Sequence, residues 1–125
     1  MHEETVNVRY MVDDVASAVA FYTGHLGFTE QLNTPAFADV RRGQLRLLLS
    51  GPHSSAGRPM PDGAQPAPGG WNRIHLITLD IQDEIDRLRG EGVRFRNDVV
   101  VGPGGSQILL EDPSGNLIEL FQPAG

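Results

Sequence analysis

The sequence repeats its own pattern at long range, and that repeat limits the possible folds more than any other feature. Sliding the chain by 66 residues places Asp14 on Asp80, and Val15, Val19 and Tyr22 on Ile81, Ile85 and Leu88. A slide of 72 residues places Gly43-Gln44-Leu45-Arg46-Leu47-Leu48-Leu49 on Gly115-Asn116-Leu117-Ile118-Glu119-Leu120-Phe121. Shared hydrophobic spacing would explain part of either match. The order of elements repeats as well, so a duplicated module of one strand, one helix and three strands accounts for both.

In the first module, about residues 4–50, Val6 to Val12 alternates like a strand, with Val6, Val8, Tyr10 and Val12 facing the core and Asn7, Arg9 and Met11 facing the other way. Asp13 or Asp14 then caps a helix carrying Val15, Val19, Tyr22 and Leu26 at helical spacing, which Gly24 and Gly27 end. Phe28 to Leu32, Ala36 to Arg41 and Leu45 to Leu49 read as strands, the last two joined by a tight turn near Gly43. Residues 51–70 are so rich in Gly, Pro, Ser and Ala that a packed element is not expected there, and the stretch reads as a linker or a lid.

The second module, about residues 71–123, opens with a strand from Trp71 to Leu79. Asp80 caps a helix whose core positions are Ile81, Ile85 and Leu88, acidic early and basic late as the helix dipole favours, and stopped by Gly90 and Gly92. Val93 to Asn97, Gln107 to Glu111 and Asn116 to Gln122 complete it, with Gly102-Pro103-Gly104-Gly105 as an internal turn. With 125 residues, the chain is expected to form one domain over residues 1–125.

A formal charge of −6 without any basic run argues against nucleic acid and anionic membrane as partners. The absence of cysteine removes disulfides, thiol catalysis and thiolate metal sites. Neither an export-type leader nor a membrane-length apolar run is read at the start or elsewhere, so a cytoplasmic protein is expected. His2, His25 and His53 are scattered and read as surface residues; Ser54, Ser55 and Ser106 make no nucleophile pattern, and Gly104-Gly105 has no following helix to bind phosphate.

The strand after Asp112-Pro113-Ser114-Gly115 holds the most informative residue. Leu117, Glu119 and Phe121 share one face, and an ionised Glu119 among them needs water, a counter-charge or a metal. By the same alternation Trp71, Arg73 and His75 share a face, and Arg9 is the counterpart of His75 in the repeat. His75 is either a packed or ligand-contacting residue or a general base, since imidazole titrates near neutrality. Trp71, the single Trp, is either a stacking platform for a planar ligand or a core plug.

Three stretches, Val12-Asp13-Asp14-Val15, Phe21-Tyr22-Thr23-Gly24-His25-Leu26-Gly27-Phe28 and Glu111-Asp112-Pro113-Ser114-Gly115-Asn116 followed by Ile118-Glu119-Leu120-Phe121, resemble the glyoxalase/bleomycin resistance protein/extradiol dioxygenase group, the vicinal oxygen chelate superfamily. The resemblance implies an α+β fold in which two βαβββ modules form curved mixed sheets around a cavity, and a homodimer. It is specific for fold and not for reaction, because the superfamily includes lyases, isomerases, dioxygenases, thiol transferases and drug-binding proteins.

In the metal enzymes of that superfamily, ligands come from the first and last strands of each module. Carried over by the repeat, these positions are Asn7, Leu47, Arg73 and Glu119, of which only Glu119 is a good ligand. No metal and no other cofactor is therefore expected. An ion pair between Arg73 and Glu119 would stand in its place, either lining a pocket or only stabilising the sheet. The expected ligand-binding set is Asn7, Arg9, Met11, Leu47, Trp71, Arg73, His75, Glu119 and Phe121. The function implied is metal-independent binding of a small aromatic or polycyclic, antibiotic-like molecule; the alternative is a lyase, isomerase or other small-molecule enzyme using Arg73, His75 and Glu119.

Overall fold

The computed structural model describes residues 4–125, so His2 lies outside the described residues. It divides into two compact units, Met1–Gly69 and Gly70–Gly125. Unit 1 runs β1 (Val6–Met11), α1 (Val15–His25), β2 (Thr29–Asn33), β3 (Phe37–Arg42) and β4 (Leu45–Ser50). Unit 2 runs β5 (Arg73–Ile77), α2 (Ile81–Gly90), β6 (Val100–Gly102), β7 (Gly105–Glu111) and β8 (Leu117–Pro123). Their sheets have the same topology, β1-β4-β3-β2 and β5-β8-β7-β6, each with one parallel and two antiparallel pairings. This is the α+β, twice-βαβββ architecture expected.

Asp14, not Asp13, caps α1 through hydrogen bonds accepted from Ala16 N (3.0 Å) and Ser17 N (3.3 Å). Asp80 does the same for α2 by accepting from Asp83 N at 3.1 Å. Gly24 lies inside α1 and does not end it; the left-handed backbone comes at Gly27 (φ 72°), after Leu26. On α2, Arg87 bonds Glu84 and Glu91 at 3.0 and 3.1 Å, and the Glu84 hydrogen bond above all holds its pKa above the ordinary arginine value.

Each sheet buries one face under its helix. In unit 1 that face is Tyr10, Val12, Ala38, Val40, Leu47 and Leu49, covered by Val15, Ala18, Val19 and Tyr22. In unit 2, Ile74, Leu76, Ile108, Leu110, Ile118 and Leu120 meet Ile81, Ile85 and Leu88. Apolar area removed from water at about 25 cal/mol per Å² makes these faces the main source of stability. Val6 departs from expectation: it is 64% exposed, because β1 is an edge strand and has a neighbour on one side only.

Two readings of the second half of each unit are corrected. Val93 to Asn97 is not a full strand. Only Phe95 bridges Leu110, with Arg96 N donating to Leu109 O (2.8 Å) and Glu111 N to Arg94 O (3.1 Å). Pairing with β7 resumes at Val100↔Gln107, two residues out of step, and Asn97 Oδ1 fills the break by accepting from Leu109 N at 2.9 Å. This is a bulge, as is the extra residue between Glu30 and Leu32 on β2.

The repeat also aligns differently from expectation in the last strand of each unit. Glu119 is level with His75 in β5–β8, whereas Arg9, the counterpart of His75, is level with Leu48 in β1–β4. The position matching Glu119 is therefore Leu48, not Leu47. The connection after β3 leaves two residues between Arg42 and Leu45, while the one after β7 spans Asp112 to Asn116. Superposing Gly43 on Gly115 ignores that difference, and a one-residue slip exchanges the two faces of a strand. Leu47 is wholly buried on the helix-covered face and is withdrawn as a ligand contact.

Residues 51–70 are more ordered at their start than their composition implies. Gly51 N donates to Ala36 O (2.9 Å), Ser54 Oγ to Gly51 O (2.7 Å), and Ser55–Gly57 forms a single 3₁₀ turn. Gly57 is buried where a Cβ would lie 2.6 Å from Gly51 O and 2.8 Å from Pro52 O, so only glycine closes this turn without displacing backbone. Amides of Gly51 and Gly57 should exchange at least about tenfold more slowly than those of the exposed Ala67 and Gly70, measured by hydrogen exchange in the free protein. Uniformly fast exchange from 51 to 70 would contradict this docking.

Candidate functional site

In unit 2, the face of the sheet away from α2 gathers most of the expected residues. The parallel register sets Arg73 level with Leu117, His75 with Glu119 and Ile77 with Phe121. Glu119 is 7% exposed and holds the centre. Arg73 donates to its Oε1 from Nε and approaches the same oxygen with Nη2, both at 3.0 Å. The other oxygen, Oε2, lies 3.4 Å from His75 Nε2. The guanidinium thus converges on one oxygen and does not span both, which leaves the second for the imidazole.

Around this core, Arg73 Nη1 donates to Trp71 O at 3.2 Å, and the His75 and Phe121 rings lie 4.8 Å apart at 36°. Trp71 stands just before β5, so strand alternation does not place it. It is 64% exposed, which excludes a core plug, and the Arg96 guanidinium sits 4.9 Å from its ring centre. Arg96 also approaches Glu111 at 3.6 Å. Arg73, Arg96, Glu111 and Glu119 balance formally.

The corresponding face of unit 1 carries Asn7, Arg9 and Met11 on β1, as read from the alternation. Asn7 Oδ1 accepts from Thr5 Oγ1 at 2.8 Å, and Arg9 Nη1 donates to Ser50 Oγ at 2.8 Å. Arg9 also lies 6.0 Å from the Phe37 ring centre. Asp39, Arg41, Arg46 and Ser50 belong to this face and were not singled out from the sequence. The alternation Phe37-Ala38-Asp39-Val40-Arg41 was the available signal, since it sets Asp39 and Arg41 opposite the apolar Ala38 and Val40.

The description Glyoxalase/Bleomycin resistance protein/Dioxygenase superfamily matches residues 5–120, and the chain belongs to that superfamily. Among solved structures, it is similar to TnmS3, an antibiotic binding protein from Streptomyces sp. CB03234, at 25% identity over 98% of each chain with a TM-score of 0.74. A superfamily member from Sphaerobacter thermophilus shares 28% identity over 97% of this chain and 98% of its own, TM-score 0.75. Lactoylglutathione lyase from Agrobacterium tumefaciens, at 21% identity over 94% and 91% and a TM-score of 0.70, shares the fold. Comparison with curated proteins found no match.

The residues present do not fit the divalent metal of the superfamily's metal enzymes. With Leu48 in place of Leu47, the four positions hold Asn7 and Leu48 in unit 1 and Arg73 and Glu119 in unit 2. Among the described residues, no three His, Asp or Glu side chains come together as a metal would require. Glu119, the one carboxylate of this group, already has both oxygens engaged. A guanidinium 3.0 Å away repels a cation.

Proposed function

We propose that this protein binds a small aromatic or polycyclic organic molecule, antibiotic-like in character, without a metal ion and without transforming it. The observation that carries the reading is the Arg73–Glu119–His75 cluster, in which the buried carboxylate is paired with a guanidinium and faces an imidazole. Around it, the half-exposed His75, Phe121 and the exposed Trp71 offer ring faces to a planar ligand. The likeness to an antibiotic binding protein over the whole chain supports the same reading. A cytoplasmic homodimer and a role for residues 51–70 as a cover belong to the proposal.

A second reading rests on the His75–Glu119 contact. A carboxylate beside an imidazole is the arrangement that orients a general base, and His75 is open enough on its side chain (44%) to reach a substrate. In that case a lyase or isomerase would use Arg73 to hold the developing negative charge.

One experiment separates these. Protein dialysed without chelator should hold no stoichiometric divalent metal, and EDTA should leave its Tm unchanged. Candidate aromatic natural products incubated with it should be recovered unaltered by mass spectrometry while quenching Trp71 fluorescence. One tightly held metal per chain overturns the metal-free reading, and turnover lost in His75→Ala would establish the enzyme.

A further inference from the structure

Unit 1 has a polar cluster whose charge differs in kind from that of unit 2. Asp39, 5% exposed on β3, stands level with Leu48 and beside Arg46 of β4 and Arg41 of its own strand. Arg46 donates from Nε to Oδ2 at 2.8 Å, and Arg41 Nε lies 3.5 Å from Oδ1. Both arginines therefore turn the Nε edge to the carboxylate. Their terminal nitrogens, the fork suited to an oxyanion, make no bond within the described residues, and the side chains are 40% and 33% exposed. Arg9, tethered to Ser50 and near the Phe37 ring, adds a third guanidinium to the same face.

Three guanidiniums against one carboxylate leave this face with two positive charges in excess, inside a chain of net charge −6. The remaining acidic residue on these strands, Glu30, is level with Val40 and so on the opposite face. Asp39 neutralises one charge by its bond to Arg46, while Arg41 Nε and Asp39 Oδ1, 3.5 Å apart, are both buried without a hydrogen-bond partner, so most of the donor capacity of the two arginines stays available. Such an arrangement is made for an anion. Arginine also tolerates an aromatic neighbour such as Phe37 better than lysine would, because its planar cation stacks.

We infer that the unit 1 face, through Arg9, Arg41 and Arg46 positioned by Asp39, binds an acidic oxygen group of a small organic ligand, either a carboxylate or an ionised phenol. This rests on the binding reading above and adds the charge of the ligand to it. The ligand is anionic on this face, while the balanced face of unit 2 makes no such demand.

The test uses the full chain labelled with ¹⁵N and three probes of one shape: 2-naphthoate, 2-naphthamide and 2-naphthylmethylammonium. Naphthoate should shift the Phe37–Ser50 resonances saturably and bind at least about tenfold more tightly than the amide, a preference that 0.5 M salt should erode. The double variant Arg41→Gln/Arg46→Gln, its fold checked by its own spectrum, should reduce naphthoate to the level of the amide. Equal binding of carboxylate and amide, or naphthoate binding untouched by the double variant, overturns the charge assignment and leaves the binding reading standing. Failure of all three probes to bind at about 10 mM overturns both.

Discussion

Replacing Arg73 by Met should destabilise the protein by about 2–3 kcal/mol in urea unfolding at neutral pH, because it leaves Glu119 buried with only His75 beside it. The partial exposure of Arg73 keeps the figure below that of a fully buried pair. Glu119→Gln alone should cost a similar amount, since it strands the guanidinium. The two changes together should cost less than their sum, and the coupling from the double-mutant cycle should be at least about 1 kcal/mol. Coupling near zero would mean that the pair does not interact in solution, and the metal-free site would lose its central support.

An effect as large is expected at Asp112→Ala. Asp112 is 1% exposed and accepts hydrogen bonds from Ser114 N and Asn116 N on Oδ1 (2.9 Å each) and from Asn116 Nδ2 on Oδ2 (3.0 Å). Removing the carboxylate takes these bonds from the loop that launches β8, at about 3 kcal/mol in total. Asp112→Asn should recover part of this, since its amide oxygen still serves one side. A loss under about 1 kcal/mol for the alanine variant, read from the urea midpoint and slope, would show that water replaces the carboxylate. Because the loop aims Leu117 and Glu119, ligand affinity should fall along with stability.

Much of the unit 2 site was legible because a strand has a period of two. Arg73, His75, Glu119 and Phe121 needed only alternation on two strands and the order of elements, and the register then brought them level. What was not legible depends on loop length and on backbone irregularity, which alternation does not encode. Aligning two connections of different length on Gly43 and Gly115 points to Leu47, whereas the strand register points to Leu48. Val93 to Asn97 was read as a strand because the bulge at Asn97 and Asp98 breaks the ladder through a side-chain bond. The arginines around Asp39 were passed over for a different reason: alternation marked them as facing away from the helix, but only the packing shows one carboxylate serving two cations.

The bulges on the outer strands also matter to the life of the protein in a crowded solution. β2 and β6 each form one margin of their sheets, across from β1 and β5, and margins of this kind attract strands of other chains. On one, an extra residue throws Glu30 and Leu32 out of step; on the other, a three-residue strand with exposed Val100 and Val101 follows directly on an interruption. Neither margin offers a long, straight row of donors and acceptors. A fold built by doubling one sheet doubles its sticky edges too, and here each copy blunts the one formed by its outer antiparallel strand.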